Sequence, residues 1–283
     1  MKVMVNKFVI LAAGFMMCSI SFAQDAGLLD GAYTPTHYTE RKIIPYPSLR
    51  EADVMWSKRM WRILDLREKQ NHPLFFPITP IGGRKSLTQV IMDRAKLGDD
   101  DALGLGAFQD EEFKLKMTTA EIESILVKYD TIQVDDGEGN LENKSIKNEF
   151  DPSSVKRYRI KEDWFFDKQR SVLDVRIIGM CPVQEVFDGQ TGDYKGEKPL
   201  FWIYFPEARH IFANEVVFNR YSDSEKRTLE DIFWKRTFSS YIYKTSNVYD
   251  RQLNEYKSNL DLLLESKNIK EVVFNMEQDF WEY

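Results

Sequence analysis

The chain has 283 residues, 43% hydrophobic and 30% charged, with a formal net charge of −6. That length suits one large domain or two small ones, and the negative balance gives no electrostatic reason to hold nucleic acid or an anionic membrane surface. No stretch beyond the first residues is long and apolar enough to span a bilayer.

The opening MKVMVNKFVILAAGFMMCSISFAQ reads as a secretory signal peptide over residues 1–23. Lys2 and Lys7 form its positive end, Phe8 to Ile20 its apolar run, and Ser21-Phe22-Ala23 its cleavage site before Gln24. A buried N-terminal helix is the alternative. Met17 stands before Cys18 where a lipobox wants a small residue, so no lipidation is expected. Cleavage takes Lys2 and Lys7 from 39 basic residues, leaving 37 against 45 acidic ones, a balance of −8. It also leaves Cys181 as the one thiol, so no internal disulfide is expected. Within VRIIGMCPV that thiol reads as packing in a buried strand. The mature chain is expected to be exported and soluble.

Residues 24–50 contain Pro35, Pro45 and Pro47 and read as an extended N-terminal arm. Tyr33, Tyr38 and Tyr46 are its anchors, on its own domain or on a neighbouring subunit. Residues 51–283 read as a single α+β domain. A first helix is expected over Glu51–Lys69, stopped by Asn71, His72 and Pro73. The proline-broken LFFPITPIGG follows. Ser86 with Gln89 makes a capping box for a second helix, which Gly98 ends. Asp99 to Gly106 is turn-rich, and FKLKMT from Phe113 alternates like a strand. Thr118 with Glu121 caps a third helix, and TIQV reads as a strand. Asp135 to Phe150 is polar and reads as a long hairpin tip or a mobile loop.

Strands are then expected in VKRYRI, SVLDVRIIGMCPV and PLFWIYF, with turn chemistry at Asp188-Gly189 and Thr191-Gly192. Ser222 with Glu225 would cap a long helix running to the mid-240s. Leu253, Tyr256, Leu260, Leu263 and Leu264 mark a final amphipathic helix, and EVVF a short strand. No internal repeat is present. Central antiparallel or mixed strands flanked by helices, without regular βαβ alternation, indicate α+β.

On a 100° wheel, Trp56, Met60, Ile63, Leu64 and Arg67 of the first helix share one stripe, while Trp61 and Val54 lie far round. Met55 and Leu66 take a third side. The helix after Ser222 repeats this, with Trp234, Phe238 and Tyr241 pointing away from Leu229, Ile232 and Phe233. Either both helices are wrapped by their own chain or a neighbouring subunit completes one face. Trp, Tyr and Arg are favoured interface anchors. Trp56, Met60, Trp61, Arg67, Trp234, Phe238 and Tyr241 are therefore candidate partner-binding residues. On that reading Trp61→Ala or Trp234→Ala leaves a folded subunit that assembles poorly.

Catalytic signals are weak. His37, His72 and His210 lack metal-ligand spacing, and there is no GxSxG or P-loop. Asp99-Asp100-Asp101 and the acids of Asp135 to Glu142 lack EF-hand spacing. No catalytic residue, cofactor or metal is expected. The alternative is a periplasmic glycan- or peptidoglycan-acting hydrolase, or a glycan-binding module, built on EDWFFD from Glu162 to Asp167.

DVMWSKRMWRILDLREKQNHPLFFP, PLFWIYFPEARHIFANEVVFN and TLEDIFWKRTFSSYIYKTSNVYDR are long ordered strings. Together they resemble the gliding motility protein GldN family, called PorN in non-gliding relatives. The likeness runs from about Glu51 onward and is weakest in Asp135 to Phe150. It implies a non-enzymatic periplasmic subunit of the type IX secretion system of Bacteroidetes. Such a subunit assembles into a ring with an outer-membrane lipoprotein, GldK or PorK, and contacts the inner-membrane motor protein GldM or PorM. It is required for cargo secretion and, in gliding species, for motility. The resemblance carries no catalytic residue.

Overall fold

The computed structural model describes residues 41–99, 101, 103–135, 141–188, 191–222 and 224–281. The signal segment, the arm as far as residue 40, Asp100 and residues 136–140 of the polar loop lie outside the described residues.

In chain order the elements are β1 (Val54–Asp65), α1 (His72–Phe75), α2 (Leu87–Leu97), β2 (Ala107–Phe108), α3 (Thr119–Leu126), β3 (Val127–Asp135) and β4 (Leu141–Glu149). They continue with β5 (Val155–Asp167), β6 (Val172–Phe187), β7 (Tyr194–Pro199), β8 (Trp202–Tyr204), α4 (Phe205–Phe212), β9 (Val216–Val217) and β10 (Arg227–Thr228). The last are α5 (Leu229–Trp234), β11 (Tyr241–Thr245) and α6 (Asn259–Trp281). A seven-stranded antiparallel sheet in the order β11-β1-β5-β6-β8-β2, with β7 also on β6, forms the centre. β3–β4 and β9–β10 are separate two-stranded ribbons. The architecture is α+β, as the element pattern indicates.

The expected first helix is strand β1. Its neighbours pair residue for residue, Met60 opposite Glu162 and Trp61 opposite Lys161 on β5, and Trp61 opposite Lys244 on β11. A period of two replaces the failed wheel. Trp56, Met60, Arg62 and Leu64 face one side, Arg59, Trp61, Ile63 and Asp65 the other. Arg, Lys, Met and Leu suit a helix in isolation, but pairing on both edges overrides that preference.

The first side carries the main core. Leu64, Tyr158, Ile160, Ile177 and Met180 of the sheet pack against Val90 and Ile91 of α2, Phe205 and Phe212 of α4, and Ile232 and Phe233 of α5. The buried Tyr158 hydroxyl and Thr88 Oγ1 share a hydrogen bond of 2.7 Å, which keeps a polar pair satisfied inside that cluster. Farther along the same side, Met60, Ile242, Trp56 and Trp164 lie under Ile269 and Val273 of α6. On the opposite side Trp61, Cys181, Trp202 and Tyr243 form a smaller cluster.

Two of the three expected N-terminal caps are present as capping boxes, Ser86 with Gln89 on α2 and Thr118 with Glu121 on α3. Gly82 and Gly83 both hold positive φ, 57° and 75°, and close a tight turn bridged by Ile81 and Arg84.

Several boundaries differ from the sequence reading. FKLKMT forms no regular strand but a single bridge, Lys116 to Phe108, after Phe113, which stands at φ 59° with its ring laid over Gly179, where a Cβ would collide with it. PLFWIYF splits between the end of β7, β8 and the first turn of α4. The long helix after Ser222 is the six-residue α5, capped by Thr228 and Asp231 rather than Ser222 and Glu225. Its end is set by Arg236 at φ 51°, followed by a Thr237 N–H bond to Ile232 O of 3.0 Å. EVVF lies inside α6 and forms no strand. Asp135 to Phe150 supplies β4, paired from Val127–Glu149 to Asp135–Leu141.

Candidate functional site

The seven residues singled out as partner-binding candidates separate by burial. Met60, Trp61 and Phe238 are 1%, 6% and 8% exposed and lie inside their own chain. Trp61 is held by its indole N–H, which donates to Glu111 Oε2 at 3.0 Å, and by the Lys244 ammonium 4.5 Å from its ring. Trp56 and Tyr241 are half-buried at the edges of clusters. Arg67 is exposed and forks onto Asp65 at 2.6 and 2.9 Å. Trp234 is 39% exposed. The first multi-sided helix is thus strand β1, and the second is the short helix α5, a turn and β11; Trp61 and Phe238 are covered within one chain, while Trp234 stays partly open.

Trp234 is the seat of the described part of the arm. Its ring stacks on Tyr46 at 5.5 Å, and the Arg209 guanidinium lies 4.2 Å from Tyr46 and 4.8 Å from Trp234. Arg209 also donates to Ile44 O at 2.7 Å and pairs with Glu230 at 2.7 Å. Arg41 forks onto Asp231 at 2.5 and 3.0 Å, and Arg176 donates to Pro47 O at 2.6 Å. Burial alone would raise the Asp231 carboxyl, but the Thr228 N–H and Arg41 hold it below its ordinary value. Burial raises the Tyr46 phenol. The arm therefore lies on its own domain from Arg41 to Pro47, strapped by aromatic and arginine contacts.

α6 carries the surface that sequence reading missed. Its inner stripe, Ser266, Ile269, Val273 and Phe280, faces the sheet. Ser266 Oγ accepts the Ile242 N–H of edge strand β11 at 2.8 Å, and Phe280 packs on Phe166 at 4.8 Å. This covers an edge that would otherwise be free to pair. The opposite stripe holds Leu260, Leu263, Leu264 and Phe274, exposed to 68, 50, 55 and 58%. Lys267 and Glu271, paired at 3.5 Å, stand among them. Leu260, Leu263 and Leu264 are residues by which the sequence marked this helix as amphipathic. They are the face left open, because α6 begins at Asn259 and the inner register belongs to the other stripe.

A second apolar surface is a groove of about 580 Å³ lined by Pro73, Phe76, Ile78, Ile81 and Phe218. Arg84 lies over the Phe218 ring at 5.5 Å, and Lys69 and Arg220 complete a basic rim. Adjacent apolar surface of this kind marks interaction sites more often than isolated exposed residues do.

The EDWFFD carboxylates do not converge. Glu162 is 0% exposed and held by Arg236 Nη2 at 2.9 and 3.0 Å, while Asp163 points to the other face and pairs with Arg59 at 2.6 Å. Asp167 caps the next turn and pairs with Arg170 at 2.7 Å. Glycosidic cleavage needs two carboxyls across one cleft, and this stretch divides them. Cys181 is buried against Trp61, Trp202 and Tyr243, and burial pushes its thiol up to about 12. His72 meets Arg67 O at 3.2 Å. His37 is outside the described residues. Among the described residues no group of three or more His, Cys, Asp or Glu side chains is placed to hold a metal ion, and no helix is long and apolar enough to cross a membrane.

No curated protein matches the chain. A family model described as gliding motility associated protein GldN matches residues 49–282, from the described arm through β1 and the sheet to the end of α6, and the chain belongs to that family.

Proposed function

We propose that this chain is a non-enzymatic structural subunit of a periplasmic ring. In this reading it joins an outer-membrane lipoprotein of the GldK/PorK type and touches the motor protein GldM/PorM. Family membership makes the chain a component of the gliding motility and type IX secretion machinery. The ring, its partners and its location are the proposal.

The observation that carries the reading is the outer stripe of α6. Leu260, Leu263, Leu264 and Phe274 are each half or more exposed on a helix already docked by its other side. Fully covering such a side chain contributes about 1.5–3 kcal/mol, which favours a neighbour over solvent. A ring needs two different patches on every subunit, and the basic-rimmed groove at Phe76 and Phe218 supplies a second. Of the residues read from the sequence, Trp234 and Arg67 are the ones open enough to meet a partner directly.

The test is complementation of a strain lacking the gene. The wild-type chain restores cargo secretion. The double variant Leu263→Asp, Leu264→Asp is expected to accumulate normally and restore none. Full secretion by that variant would remove the stripe from the function.

A further inference from the structure

Between β1, the turn after α5 and the inner side of α6 lies a pocket of about 380 Å³ with walls that include Met60, Trp164, Phe238 and Phe274. Arg62, Arg236 and Lys270 all open onto it. One carboxylate is bonded within the cluster: Glu162, which Arg236 holds through both oxygens and which accepts Trp164 Nε1–H at 3.0 Å.

Arg62 is 7% exposed and donates to Ser240 Oγ at 2.8 Å and to Ser240 O at 3.0 Å. Lys270 Nζ donates to the same carbonyl at 3.2 Å. Among the described residues, neither Arg62 nor Lys270 has a carboxylate within ion-pair distance. Glu277 stands on the lining and Glu68 acts on Lys270 from farther away. A buried guanidinium with no counter-charge of its own is expensive to hold. Arg236 adds a second cost, since it takes a left-handed φ of 51° where glycine is the usual occupant. Three cations are thus gathered around one bonded carboxylate, with Glu277 on the same lining, beside a partly apolar cavity with room for a guest.

We propose that this pocket binds an anion with an apolar body. The ligand is a carboxylate carried on an alkyl chain, or the terminal carboxylate of a peptide ending in apolar residues. The charged head meets Arg62 and Lys270, and the body lies along Trp164 and Phe274. This inference does not rest on the assembly reading: its charged head is held by Arg62 and Lys270, and of its walls Phe274 alone also belongs to the outer stripe of α6.

Calorimetric titration of the mature chain with decanoate tests it. Saturable binding is expected, with decanol at least about tenfold weaker, since a hydrogen bond to a charged group is worth a factor of this order. Arg62→Met and Lys270→Met should each weaken decanoate to a similar extent. Lys270 stands at the edge of the pocket, so its variant keeps the test readable if Arg62→Met does not fold. A peptide ending in Leu-Phe that displaces decanoate, while its amide does not, assigns the site to peptide termini. Failure of the peptide to displace decanoate assigns it to free alkyl carboxylates. No saturable binding of either probe, equal binding of decanol, or full affinity in a folded variant would overturn the proposal.

Discussion

Glu162 is the residue on which Arg62 and Arg236 most depend. It is fully buried and counters Arg236 directly and Arg62 at longer range. Glu162→Gln removes the negative charge and leaves both guanidiniums facing each other, so a loss of roughly 3 kcal/mol is expected in urea unfolding. A change within about 0.5 kcal/mol, the range of an ordinary surface substitution, would show that solvent already screens the cluster. Cys181 gives a second residue-scale test. With its thiol raised to about 12 by burial, iodoacetamide should label it only once denaturant opens the fold. Rapid labelling of the native chain would mean that the cluster of Trp61, Trp202 and Tyr243 breathes far more than its packing indicates.

At the scale of elements, β1 and the arm behave differently from the sequence expectation that Trp61→Ala and Trp234→Ala act alike. Trp61 is enclosed, so Trp61→Ala should cost about 3–5 kcal/mol and impair folding itself. Trp234 stays 39% exposed and seats the arm, so Trp234→Ala should leave the domain folded and speed hydrogen exchange over residues 41–47. Equal loss of stability in the two variants would contradict this division.

Acid should release the same strap. The Asp231 carboxyl is depressed in the folded chain, so its contribution is complete above the ordinary value of 3.8 and is lost as pH falls through the folded value. Protection of residues 41–47, taken relative to intrinsic exchange at each pH, should therefore fall on acidification below that value, and Asp231→Asn should show low protection at neutral pH. Protection unaffected by either change would mean that Arg41 does not hold the arm.

Local chemistry explains which elements were readable. Ser86 with Gln89 and Thr118 with Glu121 announce α2 and α3 because a capping box is a contact within four residues. β5 and β6 are apolar and β-branched enough to declare themselves. β1 is not: its strand state is set by β5 and β11, partners about 100 and 180 residues away, and distant pairing overrides local preference. α5 ends at an arginine in a glycine conformation, which no local pattern announces. The Arg62, Arg236 and Glu162 cluster was invisible for the same reason, since its members come from three separate elements.

For the whole molecule, the unit from Tyr38 to Tyr283 encloses its tryptophan-rich strand and leaves its last helix half covered. The sequence signalled an excess of apolar surface and placed it on the helices of Trp56, Met60, Trp61, Trp234, Phe238 and Tyr241, of which Trp234 stays partly open. The excess lies on Leu260, Leu263, Leu264 and Phe274 instead, because the sheet consumes most of the first set and α6 can dock by only one side. The most direct measurement is the mass of the purified chain without residues 1–23 by sedimentation, alone and with the proposed lipoprotein partner, for wild type and for Leu263→Asp, Leu264→Asp. The wild type should enter an assembly of more than one copy with the partner, and the folded double variant should remain a single chain. A wild type that stays single under both conditions, or a double variant that assembles as the wild type does, would contradict an interface on the outer stripe of α6.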